Sequence, residues 1–375
     1  MSILRKIPVF LFFIPSLLAA QTVSPCSHWS IDLPVPGYGI SFGNSARHSG
    51  IRFNWSDDCL EEINGFDFTL WVPGEHMTGM INGMAIGLGA TGADELTGFA
   101  FGLGGVFSGR NMTGVSVGGL AVVGAGDAFG ATISGVGTVM KGDLTGLNLG
   151  GLGCVTDGEM TGISFGGLGL VSGKSMTGIS LGGLAGIAGG DCSGISFGLL
   201  GLVSGGALSG VNIAGLGLVG KSRITGLNIG GLATVSQGDL NFITLSGLAA
   251  IGVGSIAGLT VAGGAIVTRG DIAGVNVTIG AIQTDRSVSG LMIAGFRTKA
   301  DCLYGVDLTL ITTEVQCASG LIVGVYNRVH ETQNGLSIGI FNHADNLSGV
   351  QIGLVNYAEN NPEGLKVLPI VNAHF

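Results

Sequence analysis

The residues able to do chemistry in this chain of 375 are sparse, and most recur at fixed intervals. Gly173-Lys174-Ser175 spells the end of a phosphate loop. Such a loop needs a following helix whose first amides hold the phosphate. MTGISLGG follows instead, another strand-like run, so a charged turn is expected. An acidic column (Asp127, Asp143, Glu159, Asp191, Asp239, Asp271) could offer oxygens to calcium between successive units. Ser175, Ala207, Arg223 and Ser255 interrupt it and no calcium nonapeptide motif occurs, so it reads as a solvated turn edge. His28, His48, His76, His330, His343 and His374 show no HxH or HExxH spacing, and the zinc set weighed draws His28, His48 and His76 together with Asp57. No G-x-S-x-G elbow stands between a strand and a helix. No wall carries the paired carboxylates of a glycosidase. No catalytic residue, metal ligand or cofactor site is assigned, and the chain is not read as an enzyme.

These intervals belong to a repeat. MTGISFGGLGLVSGKS (160–175), MTGISLGGLAGIAGGD (176–191) and CSGISFGLLGLVSGGA (192–207) follow one another directly. The glycine of the TG pair is the anchor: Gly98, Gly114, Gly130 and so on to Gly226 in steps of 16 residues, with Phe242 replacing it once. Gly258, Gly274 and Gly290 resume the series before the steps shorten to 14 or 15 through Gly305, Gly320, Gly335, Gly349 and Gly364. With Gly79 leading, the count is about 19 units. Relative to the anchor, positions +1, +3, +6, +8 and +14 are apolar, +2 is Ser or Asn, +4 and +5 are small, and charges gather at +11 to +13. Alternation before and after the glycine pair marks two short strands, with a slip of phase at the corner between them.

The composition sets the class. Glycine supplies 73 residues, hydrophobic residues 46%, charged residues 10% and proline 8 residues. Disorder needs the opposite balance, collagen needs abundant proline, and glycine disfavours long helices. Such a chain is all-β. The expected fold is a β-solenoid of about 19 coils of 14–16 residues with an N-terminal cap, the apolar columns facing inward and glycines of positive φ at the corners. The Ser/Asn wall, the turn edge, the cap and the last units are left for partners. The alternatives are an outer-membrane β-barrel, favoured by the terminal Phe375, and a meander or sandwich. A spanning strand wants about 9–11 unbroken alternating residues, which the corner interrupts.

The organisation expected is a signal peptide at 1–20, an N-terminal cap at 21–77 that includes a hairpin within 49–71, a regular array at 78–303, and variant repeats at 304–375. Arg5 and Lys6, the apolar stretch from Ile7 to Leu18 and Ala19-Ala20 give the first segment its export character. Without Arg5 and Lys6 the remaining 13 basic and 24 acidic residues leave a net charge of −11, which disfavours nucleic acid as a partner. Export permits disulfides, so Cys26 is paired with Cys59, and Cys302 with Cys317, which fall at one position of successive units. Cys154 and Cys192 read as buried free thiols. Asn327, Asn342, Asn356 and Asn372 should stack as a ladder of side-chain amides. A Thr/Ser column before the anchor (Thr145, Thr161, Thr177, Ser193, Ser209) could order water against ice, although threonine stacks well in any strand.

The tandem G-h-x-h-G-h-x-N units of 335–372 (h, apolar) and the TGhShGGL units before them resemble those of exported bacterial surface-repeat proteins. GIRFNW and NGFDFTLW resemble the N-terminal portion of related glycine-pair arrays. The resemblance implies an exported, surface-associated protein and brings no activity, cofactor or site residue with it. The function expected is a structural or interaction rod, secreted or on the cell surface. The alternatives are an outer-membrane pore or anchor, and a carbohydrate-binding or carbohydrate-active solenoid.

Overall fold

The computed structural model describes residues 28–74 and 76–375. The 1–20 segment and Cys26 lie outside them. The chain is a β-solenoid of about 19 turns with 71% of residues in strands. A regular coil contributes a seven-residue strand such as Met160–Gly166 and a four-residue strand such as Gly169–Ser172. Each pairs in parallel with its counterpart in the next coil, so Gly146, Gly162 and Gly178 stand in register, as do Leu170 and Gly186. The ladder continues through both turns: the Leu168 amide donates to Leu152 O at 2.6 Å, and the Gly190 amide to Lys174 O at 2.6 Å. A spanning barrel needs antiparallel neighbours. The array has none, so the barrel alternative is overturned. At about 4.8 Å per turn the rod is on the order of 90 Å long.

Both ends are closed by antiparallel strands. Ser30–Val35 pairs with Tyr38–Gly43, and Val367–His374 with Phe341–Ala358. Between them the array starts earlier than the sequence suggests. Arg47–Asn54 and Glu62–Thr69 are parallel strands with Gly50 opposite Gly65, not the two arms of a hairpin. The next anchor is Gly83, which pairs with Gly65 and Gly98, and not Gly79. Gly364 lies between the last two strands and anchors no coil.

The largest departure from expectation is the phase of the walls. Met160, Ser164, Leu170 and Ser172 are buried, whereas Ile163, Phe165 and Leu168 are exposed. The Ser/Asn column at +2 is therefore inside the coil, and the apolar residues at +1, +3 and +6 are outside. The cross-section explains this. Gly166 and Gly167 admit no side chain: a Cβ there would lie 2.2 Å from Gly169 O and 2.1 Å from Gly151 O. Inside this tight corner the coil holds serine or asparagine at +2 beside apolar residues at +14 and +8, such as Ser164, Met160 and Leu170. Several of the buried polar groups find partners along the rod axis. Thr132 Oγ1 donates to Asn148 Oδ1 at 3.0 Å, Asn148 Nδ2 to Ser164 Oγ at 3.2 Å, and Asn212 Nδ2 to Asn228 Oδ1 at 2.9 Å.

Positive φ also falls elsewhere than expected. The anchors Gly98 to Gly226 have φ of 100–126° and lie within the long strand, while the corner pair is unremarkable in φ. A Cβ on Gly162 would sit 2.3 Å from Gly146 O, so sterics and dihedral both select glycine.

Candidate functional site

The residues singled out for chemistry mostly serve the rod. Lys174 stands in a turn, 4.0 Å from Asp143, with strands on either side. The acidic column is a set of backbone acceptors: the amides of Asp143, Glu159, Ala207 and Ser255 donate to Oδ1 of Asp127, Asp143, Asp191 and Asp239 at 2.7–2.8 Å. Each carboxylate thus ties its turn to the turn of the next coil. Hydroxyls work from the inside. Ser172, Ser204 and Ser236 donate to the turn carbonyls of Gly158, Gly190 and Ser222 at 2.7–3.1 Å. The sequence carries this signal, a Ser or Thr at +10, and reading +2 as the polar wall hid it. In the Thr/Ser column Ser193 Oγ donates to Thr177 Oγ1 at 3.3 Å on the outer surface.

The zinc set is not assembled. His48 Nε2 contacts Gly39 O at 3.1 Å, and Asp57 accepts from Arg52 Nη2 at 2.7 Å and from Thr69 Oγ1 at 2.7 Å. Asp58, Cys59 and His76 do approach one another within 4.8 Å. Cys59 is disulfide-bonded, which removes its thiolate from any metal set. Cys302 and Cys317 are joined with Cα atoms 4.6 Å apart, and Cys154 and Cys192 are buried and free. Burial pushes the Cys154 thiol up to about 11, so it is no nucleophile at neutral pH.

Two buried carboxyl groups escaped the sequence reading. Arg52 is wholly inside the first coils, with Asp57 at 2.7 Å and Asp67 at 3.2 Å. Burial, reinforced by Asp57, pushes Asp67 up to about 7 against the pull of Arg52. Asp307 occupies the +2 column and accepts from Thr298, Thr309 and Thr313 at 2.6–3.0 Å. Burial raises its pKa despite those three hydroxyls. Both are enclosed by the coil walls.

In the C-terminal coils Asn327 Nδ2 donates to Asn342 Oδ1, and Asn342 Nδ2 to Asn356 Oδ1, each at 2.8 Å. Asn372, on the antiparallel last strand, leaves this line. Its Nδ2 donates to the backbone O of Asn356 at 3.2 Å, and its Oδ1 accepts from Asn361 at 2.7 Å.

What remains outside is hydrocarbon. Leu152, Leu168, Leu184, Leu200, Leu216, Leu232 and Leu248 form a ridge along one corner, all exposed and each hydrogen-bonded through its backbone to the next. Trp55 and Trp71, stacked at 6.5 Å, stand on the same corner in the first coils. Ile163, Phe165, Ile195 and Phe197 flank the ridge on the long wall, and Val171, Ile187 and Val203 flank it on the short one. In the C-terminal coils the same corner becomes a groove of about 940 Å³. Comparison with protein-family models, with curated proteins and with solved structures finds no match to the chain.

Proposed function

We propose that this protein is a non-catalytic, exported interaction rod whose working surface is its apolar outer wall. A single observation carries the reading: along the regular coils the Ser, Thr and Asn side chains at +2 and +10 are turned inward, and the aliphatic and aromatic side chains at +1, +3 and +6 are turned out. The largest apolar patch on an ordinary monomer is about 300–600 Å². The ridge from Leu152 to Leu248 is six steps, about 29 Å at roughly 4.8 Å each, and with the exposed apolar columns on both sides it makes one contiguous patch of that order. All-parallel sheets in other folds have both faces covered. The ridge and the columns that flank it offer aliphatic and aromatic carbon and no acid, base or nucleophile. Export is supported by Arg5, Lys6 and the apolar stretch that follows them, and by the cysteine pairing. The net charge turns nucleic acid away.

The test is partition between water and a detergent phase on warming. The full chain is expected in the detergent phase. Leu168, Leu184 and Leu200 changed together to Gln should move it to the aqueous phase without changing its circular dichroism. A parent protein that stays in the aqueous phase overturns the reading.

A further inference from the structure

The last coils differ from most regular ones at the corner. In most regular coils +4 and +5 are both small, as at Gly166-Gly167 and Gly182-Gly183, with Leu199 and Ile279 standing at +5 in the coils of Gly194 and Gly274. From Gly305 onward +4 is Thr309, Gly324, Gly339 or Gly353, and +5 is Leu310, Val325, Ile340 or Leu354. The column at +3 (Leu308, Val323, Ile338, Ile352) then faces a second apolar column across a floor of small residues. Two walls and a floor make the groove of about 940 Å³, with Ile370 of the antiparallel last strand at one end. From the coil of Gly274 to that of Gly349 there are five steps, about 24 Å at roughly 4.8 Å each.

Three arguments select the occupant. The floor offers a peptide nothing: the strands beneath are paired on both sides, and Thr309 Oγ1 is turned inward to Asp307. A second copy of the chain is poorly matched too. A groove about 24 Å long and one side chain wide covers a few hundred Å², well short of the roughly 800 Å² per partner of a stable interface. An acyl chain fits. One leaflet of bilayer hydrocarbon is about 15 Å deep, so a lipid tail lies within the groove lengthwise. The charge pattern then adds a head group. In regular coils the short wall is aliphatic, but beside the groove it carries Lys299, Glu314, Arg328 and His343 in register, and Arg297 bonds to Glu314. Arg328 is three residues, about 10 Å, beyond the groove wall at Val325.

We propose that the C-terminal coils bind a monomeric long-chain fatty acid, its chain in the groove and its carboxylate toward Lys299 and Arg328. This narrows the reading of an apolar working surface to one ligand class at one place, and rests on it. The probe is cis-parinaric acid, whose fluorescence rises on burial, displaced by oleate from the full chain. Uptake and displacement are expected. Leu310, Val325 and Ile340 changed together to Gly, the residue most regular coils carry at +5, should lower affinity at least tenfold with unchanged circular dichroism and melting. Ile340→Asn alone, at an exposed position, should weaken binding in the same direction if the triple variant fails to fold. K299E/R328E should weaken oleate several-fold and leave oleyl alcohol unchanged.

Retained parinarate affinity in the glycine variant overturns the proposal. So does binding seen only with phosphatidylcholine vesicles and not with monomeric fatty acid. The Leu168, Leu184 and Leu200 variant should bind parinarate as the parent does. A ridge that fails to partition with parinarate uptake intact would therefore count against the rod reading alone.

Discussion

Ser164 and Phe165 are chain neighbours on opposite sides of one wall: Ser164 is 1% exposed, and Phe165 is 43% exposed. Ser164 Oγ accepts from Asn148 in the coil below, and Phe165 touches the surroundings of the rod. The relationship repeats through the regular array and fixes what a substitution does. Ser164→Leu overfills a narrow interior and is expected to cost about 1–3 kcal/mol in urea unfolding. Phe165→Ser, on the outside, is expected to change stability by no more than about 0.5 kcal/mol. The opposite ranking would put the apolar columns back inside.

Much of this architecture is legible in the residues, and its inside-out character is not. The 16-residue step, the two strands and the corner all follow from where Gly162 and the pair Gly166-Gly167 recur. Period-2 alternation says that Ile163 and Phe165 share a face, but not which face. The usual rule that apolar residues go inside chooses wrongly here, because the interior is closed by a tight corner, where a Cβ on Gly166 would meet Gly169 O, and by the stacking of Gly167 on Gly151 O of the neighbouring coil. The antiparallel turn at Asn372 and the carboxyl groups of Asp67 and Asp307 were hidden for a related reason. Their neighbours come from other coils. The groove was half visible, since the loss of the glycine pair after Gly305 is plain, but its meaning requires knowing that +3 and +5 point outward.

Phe242 occupies the anchor position with φ of 86°, in a column where glycine otherwise stands. A bulky residue there is strained, and its ring is exposed, so little packing offsets the strain. Phe242→Gly is expected to stabilise the rod by about 1 kcal/mol, read as a higher urea midpoint. A lower midpoint would mean that the ring makes contacts of greater worth.

Asp239 tests the turn edge. Its Oδ1 takes the Ser255 amide at 2.8 Å. Asp239→Ala should cost about 0.5–1.5 kcal/mol, the worth of one hydrogen bond. Millimolar calcium should leave the melting temperature of the parent where it was. A calcium-dependent rise abolished by the substitution would restore the column as a cation site.

Asp67 makes the N-terminal coils sensitive to pH. Its folded pKa, pushed up to about 7, lies above its ordinary value of 3.8. The folded state therefore holds a proton that the unfolded chain releases, and stability falls as pH rises from about 4 to about 7. His343, held below its ordinary value chiefly by burial, acts in the opposite sense within that range. The comparison must therefore be with Asp67→Asn. Between pH 5 and pH 8 the parent should lose more melting temperature than this variant does. Equal losses would show that Arg52 keeps Asp67 ionised throughout.

Asn342 is the middle rung of the C-terminal ladder and the most exacting test of the polar interior. Its Oδ1 accepts from Asn327 and from Ser337 Oγ at 2.8 Å, and its Nδ2 donates to Asn356 Oδ1 and to Ile352 O at 2.8 and 3.0 Å. Every polar site of the amide is therefore used. Asn342→Leu nearly conserves volume but leaves those buried partners without it. An unsatisfied buried group costs about 1–3 kcal/mol, so a loss of roughly 3 kcal/mol or more is expected. Asn342→Asp keeps the acceptors and removes the donors, and it should be tolerated better below about pH 4, where the carboxyl is protonated and can donate again. Denaturation at pH 3.5 and pH 7 separates the two variants: the leucine penalty should be the same at both, and the aspartate penalty should shrink in acid. If leucine is accepted at no cost, the ladder is incidental to stability, and packing between neighbouring coils alone holds these turns together.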